Sequence, residues 1–316
     1  MRGRMVTDWR LRTRTLVLGQ RTLVMGVVNI TPDSFSDGGL YFAPEAAVEH
    51  ALQLLGEGAD LLDLGAESTR PGSRAGGEAP TVSADEEQAR LLPVLEGILR
   101  ARPDAIISVD TYKASTARAA LKAGAEVVND VSGLTWDAEM ATACSESGAG
   151  VILMHIRGTP GEWSTQSRLA PDAMLDMVRS GLADSLATAL AAKVAAEAIV
   201  LDPGYGFGKR LEENYALLAR QAELLSLGRP LLVGLSRKSF LAHRLAKRYG
   251  GGDGAEAPKE ARENASLAAM TAAILNGASI VRVHAARAAV DAAQVADAIL
   301  DAQVRGSKQN ASVRQT

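Results

Sequence analysis

The sequence has 316 residues, 47% of them hydrophobic and 22% charged, enough apolar material for one large core of the kind a roughly 250-residue barrel needs, and no case for wholesale disorder. A net charge of only −3 argues against a partner gripped by neutralising phosphates along a duplex, so small molecules rather than nucleic acid are the expected partners. The single cysteine, Cys144, excludes an intrachain disulfide and fits a reducing compartment, which places the chain in the cytoplasm.

Residues 1–22 read as an N-terminal arm. Its arginines (Arg2, Arg4, Arg10, Arg12, Arg14) resemble those of a transit peptide, but no apolar secretory segment accompanies them. From Trp9 to Val24 the pattern predicts two short strands around Gly19-Gln20, a hairpin closing one end of the fold. From 23 to 305 one unit repeats: a short run rich in Val, Ile and Leu, a polar or glycine-containing loop, then an amphipathic Ala/Leu-rich stretch. The apolar runs are Leu23 to Val28, Asp60 to Leu64, Ala105 to Val109, Glu126 to Val128, Gly150 to Met154, Ala198 to Leu201, Pro230 to Leu235 and Ser279 to Val283. That alternation predicts an α/β fold with a parallel sheet, and the number of runs is the one that closes a (β/α)8 TIM barrel, a single domain carrying the N-terminal hairpin. A doubly wound sheet competes, but no glycine-rich dinucleotide fingerprint follows the first run.

Helix starts are predicted at Pro44-Glu45 and at Ser83, where Glu86 completes a capping box; stops are predicted at Gly124, Gly148 and Gly277. Two long loops stand out, Arg70 to Val82, which reads as a lid, and Tyr249 to Lys259, which reads as a surface insertion. Residues 306–316 read as a flexible tail. No run has the length and apolarity to span a bilayer, so no membrane partner is expected.

Chemistry in such barrels comes from the C-terminal ends of the strands. There the sequence places Asn29 and the segment Thr31 to Gly39, then Glu67 to Gly72, Asp110-Thr111, Asn129-Asp130, His155, Asp202-Pro203-Gly204, Ser236-Arg237-Lys238 and Arg282-Val283-His284. Any one Asp or Asn there is most simply a turn-former bonding its own backbone. Repetition at the third, fourth and sixth strands instead predicts a polar slot for a flat heterocycle with several N–H groups, because buried polar groups left unpaired each cost about 1 to 3 kcal/mol. Arg237, Lys238, Arg282 and His284 offer cations from the last two loops, where these barrels often bind phosphate. Cations at the Arg237-Lys238 helix start would oppose the helix dipole, which favours a functional reading of them. His50 and His243 lie in helical stretches and read as surface or packing residues. No HExxH or CxxC pattern predicts a zinc site. A Mg2+ held loosely on a pyrophosphate is compatible, with Asn29, Asp33 and Asp37 as candidate ligands. Gly204 to Lys209 matches no nucleotide-binding spacing, and Phe207 reads as an aromatic wall beside a flat ligand.

Four segments, Asn29 to Gly39, Glu67 to Gly72, Asp202 to Lys209 and Ser236 to Ser239, resemble in family order the signature segments of the dihydropteroate synthases. The resemblance runs from about Val24 to His284. It implies a transferase of folate biosynthesis that joins 6-hydroxymethyl-7,8-dihydropterin pyrophosphate to p-aminobenzoate, with Mg2+ as cofactor and a homodimeric assembly. By position it implies that Asp110, Asn129, Met154, Asp202, Phe207, Gly234 and Lys238 hold the pterin. Asn29, Arg70, Arg282 and His284 would hold the pyrophosphate, with Asn29 on the metal. Phe35, Thr69, Arg70, Pro71 and Ser239 would shape the p-aminobenzoate site. Lys238, Arg282, His284 and Asp110 would carry catalysis, with Asp33 ordering the closed loop. Three residues depart from the family pattern: Ala66 replaces a common Gly, Ile156 a common Met, and Ala285 the usual Asp after His284. The alternatives are a pterin-binding methyltransferase barrel and a pterin-binding paralogue without turnover.

Overall fold

The structure is a computed structural model that describes residues 4–31, 44–69, 73–77, 82–250 and 257–313. It opens with an antiparallel hairpin of β1 (Thr7–Arg10) and β2 (Thr15–Leu18). The turn occupies residues 11–14, where the Leu11 N–H donates to the Arg14 carbonyl at 2.8 Å. The expected turn at Gly19-Gln20 is therefore corrected: Gly19, at φ +91°, carries the chain out of the hairpin and into the barrel. What makes residues 11–14 turn is tertiary. The buried Glu126 carboxylate accepts the Thr13 N–H at 2.8 Å and also the Thr13 hydroxyl, while Arg12 Nε donates to the Ala125 carbonyl at 2.8 Å.

Eight parallel strands follow: β3 (Leu23–Asn29), β4 (Leu61–Gly65), β5 (Ile107–Asp110), β6 (Val127–Asp130), β7 (Gly150–Met154), β8 (Ile199–Asp202), β9 (Leu231–Gly234) and β10 (Ala278–Val283). They close into a barrel in chain order, with β10 pairing β3 and β9. Each predicted apolar run falls on one strand. The helices are α1 (Pro44–Gly56), α2 (Ala84–Ala101), α3 (Ala114–Ala123), α4 (Met140–Ser147), α5 (Pro171–Ala191), α6 (Leu211–Ala219), α7 (Ser239–Ala246), α8 (Lys259–Leu275) and α9 (Ala286–Val313). One α-helix follows each barrel strand except β9, which is followed by both α7 and α8. Their signals match the residues: α1 begins at Pro44, and α3 ends on Gly124 in the left-handed region at φ +116°. Ser83 caps α2 by accepting the Glu86 N–H at 3.2 Å, but the Glu86 carboxylate pairs with Arg90, so only half of the predicted box forms. The helix α9 runs on to Val313 without a break at Gly306, the expected start of the tail; one glycine in a helix costs only about 1 kcal/mol. Among the described residues no helix is long and apolar enough to cross a membrane.

Side chains alternate between the two faces of a strand, so the barrel interior is read two residues at a time. At the N-terminal end Trp9, Leu11 and Leu18 of the hairpin pack on Leu23, Met25, Leu61, Val127, Ile152, Val200, Leu232 and Ile280. The plug is apolar. Two residues further along the strands the same inward positions carry Asp63, Asn129, Met154, Asp202, Gly234 and Arg282. Polarity reverses within one pleat, roughly 6.6 Å of rise. Outside the barrel wall a second apolar layer packs the strands against the helices.

Candidate active site

The centre of the polar layer is Asp63, a residue inside an otherwise leucine-rich strand and fully buried. Its Oδ2 accepts Arg282 Nε at 2.6 Å and Asn129 Nδ2 at 3.0 Å, while a second guanidinium nitrogen of Arg282 donates to Asp110 Oδ2 at 2.9 Å. Four side chains from β4, β5, β6 and β10 are thus tied across the barrel. Burial pushes the Asp110 carboxyl up from its ordinary range; Arg282 opposes the shift and Asp63 adds to it. Burial also works against the Arg282 charge, but Asp63 and Asp110 outweigh it and its pKa moves up. The sequence separated a carboxylate slot from a basic pocket. The structure interleaves them, with Arg282 between two carboxylates.

Asp202 and Lys238 face the same space from β8 and from the turn before α7. Burial dominates both: it raises the Asp202 carboxyl, with the Gly204 N–H and Lys238 opposing, and it lowers the Lys238 ammonium, with Asp202 opposing and Arg282 adding to the fall. Asp202 Oδ1 accepts the Gly204 N–H at 2.7 Å. Gly204 sits at φ +65°, and a Cβ there would lie 2.0 Å from the His155 carbonyl, so only glycine fits. Lys238 Nζ lies 3.9 Å above the Phe207 ring, whose edge meets Trp163 at 5.5 Å. Phe207 and Ile156 lie against a small apolar cluster of Ala75, Tyr112, Val131 and Met154, the wall of the mouth. His284 Nδ1 is 3.0 Å from Ser236 Oγ, which also accepts the His284 N–H at 3.3 Å. That contact holds the ring although Ala285 offers it no carboxylate. Arg237 turns away from the mouth to pair with Glu263 on α8 at 2.8 Å, which compensates its charge at the start of α7.

Asn29 ends β3 opposite Gly65 and is half-buried; Thr69 is half-buried and Ser239 exposed at the first position of α7. Asp33, Asp37, Phe35, Arg70 and Pro71 lie outside the described residues. Several strand-end residues serve the backbone instead. Asp130 accepts the Ser132 N–H, the Ser132 hydroxyl and the Leu134 N–H at 2.7 to 2.8 Å, and Thr111 accepts the Lys113 N–H at 3.1 Å. Glu67 pairs with Lys113, which also reaches Glu87 at 3.0 Å. Lys209 is buried and donates to the carbonyls of Gly204, His155 and Phe207 at 2.7, 3.2 and 3.2 Å. Burial also pushes the His155 imidazole well below its usual range, so it is neutral. The signal that could have revealed Asp63 was its position: a lone carboxylate in a strand buried on both faces requires a partner. Among the described residues no group of three or more His, Cys, Asp or Glu is arranged to hold a metal.

Residues 25–284 match the family of pterin binding enzymes. The chain is 42% identical over 279 residues to the dihydropteroate synthase of Mycobacterium leprae, covering 88% of this chain and 94% of that protein. The Yersinia pestis dihydropteroate synthase, solved with a sulfonamide drug complex, superposes with a TM-score of 0.80 at 37% identity, covering 94% of this chain and 100% of that one. The Xanthomonas albilineans dihydropteroate synthase, solved with 4-aminobenzoic acid, superposes with a TM-score of 0.78 at 39% identity, covering 93% of this chain and 98% of that one.

Proposed function

Because this chain belongs to the dihydropteroate synthases within the pterin binding enzyme family, we infer that it is a transferase that joins a dihydropterin pyrophosphate to p-aminobenzoate and releases pyrophosphate. The observation that carries the reading is the polar layer at one end of the barrel, where Asp63, Asp110, Asn129 and Arg282 form one network and Asp202 and Lys238 face the same space.

A pyrophosphate on the carbon beside a pterin ring can leave before the nucleophile arrives, because the ring spreads the developing positive charge. Asp110, Asn129 and Asp202 would hold the edge of the ring, with Met154, Phe207 and Gly234 against its faces and Lys238 donating to it. Arg282 and His284 would take up the charge of the departing pyrophosphate, and the carboxylates of the slot would stabilise the pterin cation. Phe35, Thr69, Arg70, Pro71 and Ser239 would enclose p-aminobenzoate and keep water out until its nitrogen attacks, with Asp33 ordering the closed state. No strong base is required, since that nitrogen loses its proton after the bond forms. The amide oxygen of Asn29, at the end of β3 and in register through Gly65 with Asp110 two strands away, suits Mg2+, which needs only one or two protein oxygens and keeps most of its waters. Bound there with the substrate, Mg2+ would supply positive charge to the leaving group.

A homodimer is proposed through the later helices, supported by Val295 and Ile299, which expose 62% and 40% of their surface on α9. A cytoplasmic location is proposed from the lone, buried Cys144. The deciding experiment is a pyrophosphate-release assay with the pterin substrate, with and without p-aminobenzoate and with and without Mg2+. Release that depends on p-aminobenzoate is the expected result. Pterin binding without release would instead indicate a non-catalytic paralogue or a methyltransferase.

A further inference from the structure

Between β9 and α7 three consecutive side chains leave in three directions. Ser236 turns to His284, Arg237 turns outward, and Lys238 turns into the mouth over Phe207. The middle residue makes this possible, since Arg237 sits in the left-handed region at φ +58°, a conformation a non-glycine residue keeps only where its surroundings impose it. The surroundings here are one face of α8. Ser266 is buried and donates its hydroxyl proton to the Arg262 carbonyl at 2.7 Å, which leaves its oxygen to accept the Arg237 N–H at 3.0 Å. Glu263, three residues earlier on the same face, accepts Arg237 Nε at 2.8 Å. Backbone and side chain of Arg237 are therefore both held by one helix.

We propose that Ser266 and Glu263 are positioning residues: by fixing Arg237 in the left-handed conformation, α8 sets the direction in which Lys238 enters the barrel mouth. The proposal rests on Lys238 acting on the pterin substrate, as inferred above. If Arg237 relaxed to a right-handed conformation, the chain would leave it at a different angle, and Lys238 would no longer face Asp202, Asp110 and Arg282, the charged groups around it. A mainly apolar cavity lies against this face of α8, lined by Ser236, Glu263, Ser266, Leu267, Met270 and Ala289, and a methyl added at Ser266 has this space to enter.

The test compares Ser266→Ala, Ser266→Thr, Glu263→Gln and Lys238→Ala in the complete chain, read by pyrophosphate release across pH. Ser266→Ala loses the acceptor and should lower turnover about tenfold while the alkaline limb of the profile moves up, as Lys238 escapes the burial that depresses it. Ser266→Thr keeps the acceptor and should stay within about twofold of the parent. Glu263→Gln, a change at a partly exposed residue that the fold tolerates, should lower turnover about threefold and move the limb in the same direction. Parental turnover and an unmoved limb in both Ser266→Ala and Glu263→Gln, with Lys238→Ala inactive, would overturn the positioning role alone. The same holds if Ser266→Ala fails to fold and Glu263→Gln behaves as the parent. A fully active Lys238→Ala would overturn the reading of the site beneath it, and the proposal with it.

Discussion

Asp63 Oδ2 stands 2.6 Å from Arg282 Nε at the centre of the barrel, and the same oxygen accepts Asn129 Nδ2 at 3.0 Å. Asp63→Asn keeps the shape and removes the charge, which leaves Arg282 with Asp110 as its remaining carboxylate partner among the described residues. Removing one partner of a buried pair is costly because the other charge stays behind; a loss of about 3 kcal/mol is expected in chemical denaturation. Turnover should fall at least 10-fold in parallel, since Asn129 and Arg282 lose their common anchor. A variant as stable and as active as the parent would show that the network is not what holds the slot.

Burial depresses the Lys238 ammonium to about 7, with Asp202 resisting the shift and Arg282 adding to it. A group whose pKa is lowered is protonated below that value and neutral above it. Turnover that needs the ammonium should therefore decline well below the ordinary lysine range as pH rises. Lys238→Met should remain folded and lose about 100-fold in turnover, as expected for a preorganised charge facing the reacting group. Lys238→Arg, which stays protonated throughout, should lose the alkaline limb whatever its residual rate. Persistence of that limb in Lys238→Arg would assign it to another group.

Lys209 lies near Lys238 but has a different task. Its three carbonyl partners come from Gly204, Phe207 and His155, so the ammonium ties the loop after β8 to the end of β7. In Lys209→Met the three acceptors lose their donor, at about 1 kcal/mol each, or about 3 kcal/mol in all. Denaturation should show that loss, while turnover below the unfolding range falls less than tenfold. The opposite pattern, intact stability with collapsed turnover, would move Lys209 from the scaffold into the chemistry.

At the other end of the barrel Trp9 is fully buried and its Nε1 donates to the Ala198 carbonyl at 2.9 Å. Trp9→Ala should destabilise the chain by about 4 kcal/mol, the range for removing a large aromatic side chain from a core. Because the plug and the polar layer occupy opposite ends of the strands, substrate KM measured well below the melting temperature should not change. A raised KM would mean that the hairpin sets the geometry of the mouth.

The barrel was legible because each strand is a compact apolar run, and the rim because polar residues crowd the ends of those runs. Asp63 was not, since the run from Asp60 to Leu64 counts as an apolar strand by its leucines, and nothing in the spacing says that its Asp63 carboxylate points inward to a partner. The hairpin turn failed for another reason. Residues 11–14 carry no Gly, Pro, Asn or Asp and are bent by contacts with Ala125 and Glu126, more than 100 positions away in the chain, whereas Gly19 has the residue type of a turn but serves a junction. Arg237 and Lys238 looked alike as adjacent cations. Only the left-handed backbone at Arg237 sends one to α8 and the other into the barrel.

Asp130 offers a stability measurement with a definite sign. Burial raises its carboxyl from 3.8 to about 6, against the hydrogen bonds from Ser132 and Leu134 that favour the charged form. Between those two values the native chain holds a proton that the unfolded chain releases, so stability falls as pH rises through the window and is level above it. A shift of about two pH units corresponds to roughly 3 kcal/mol. Asp110 and Asp202 shift in the same direction, so the whole chain should lose stability over this range, and the share of Asp130 must be isolated by difference. Asp130→Asn cannot titrate there. The stability of the parent relative to Asp130→Asn, measured by urea denaturation at pH 4.5, 5.5, 6.5 and 7.5, should fall from acid to neutral and then level. A difference that is flat with pH, or that rises, would show that the hydrogen bonds from Ser132 and Leu134 outweigh burial and keep Asp130 ionised throughout.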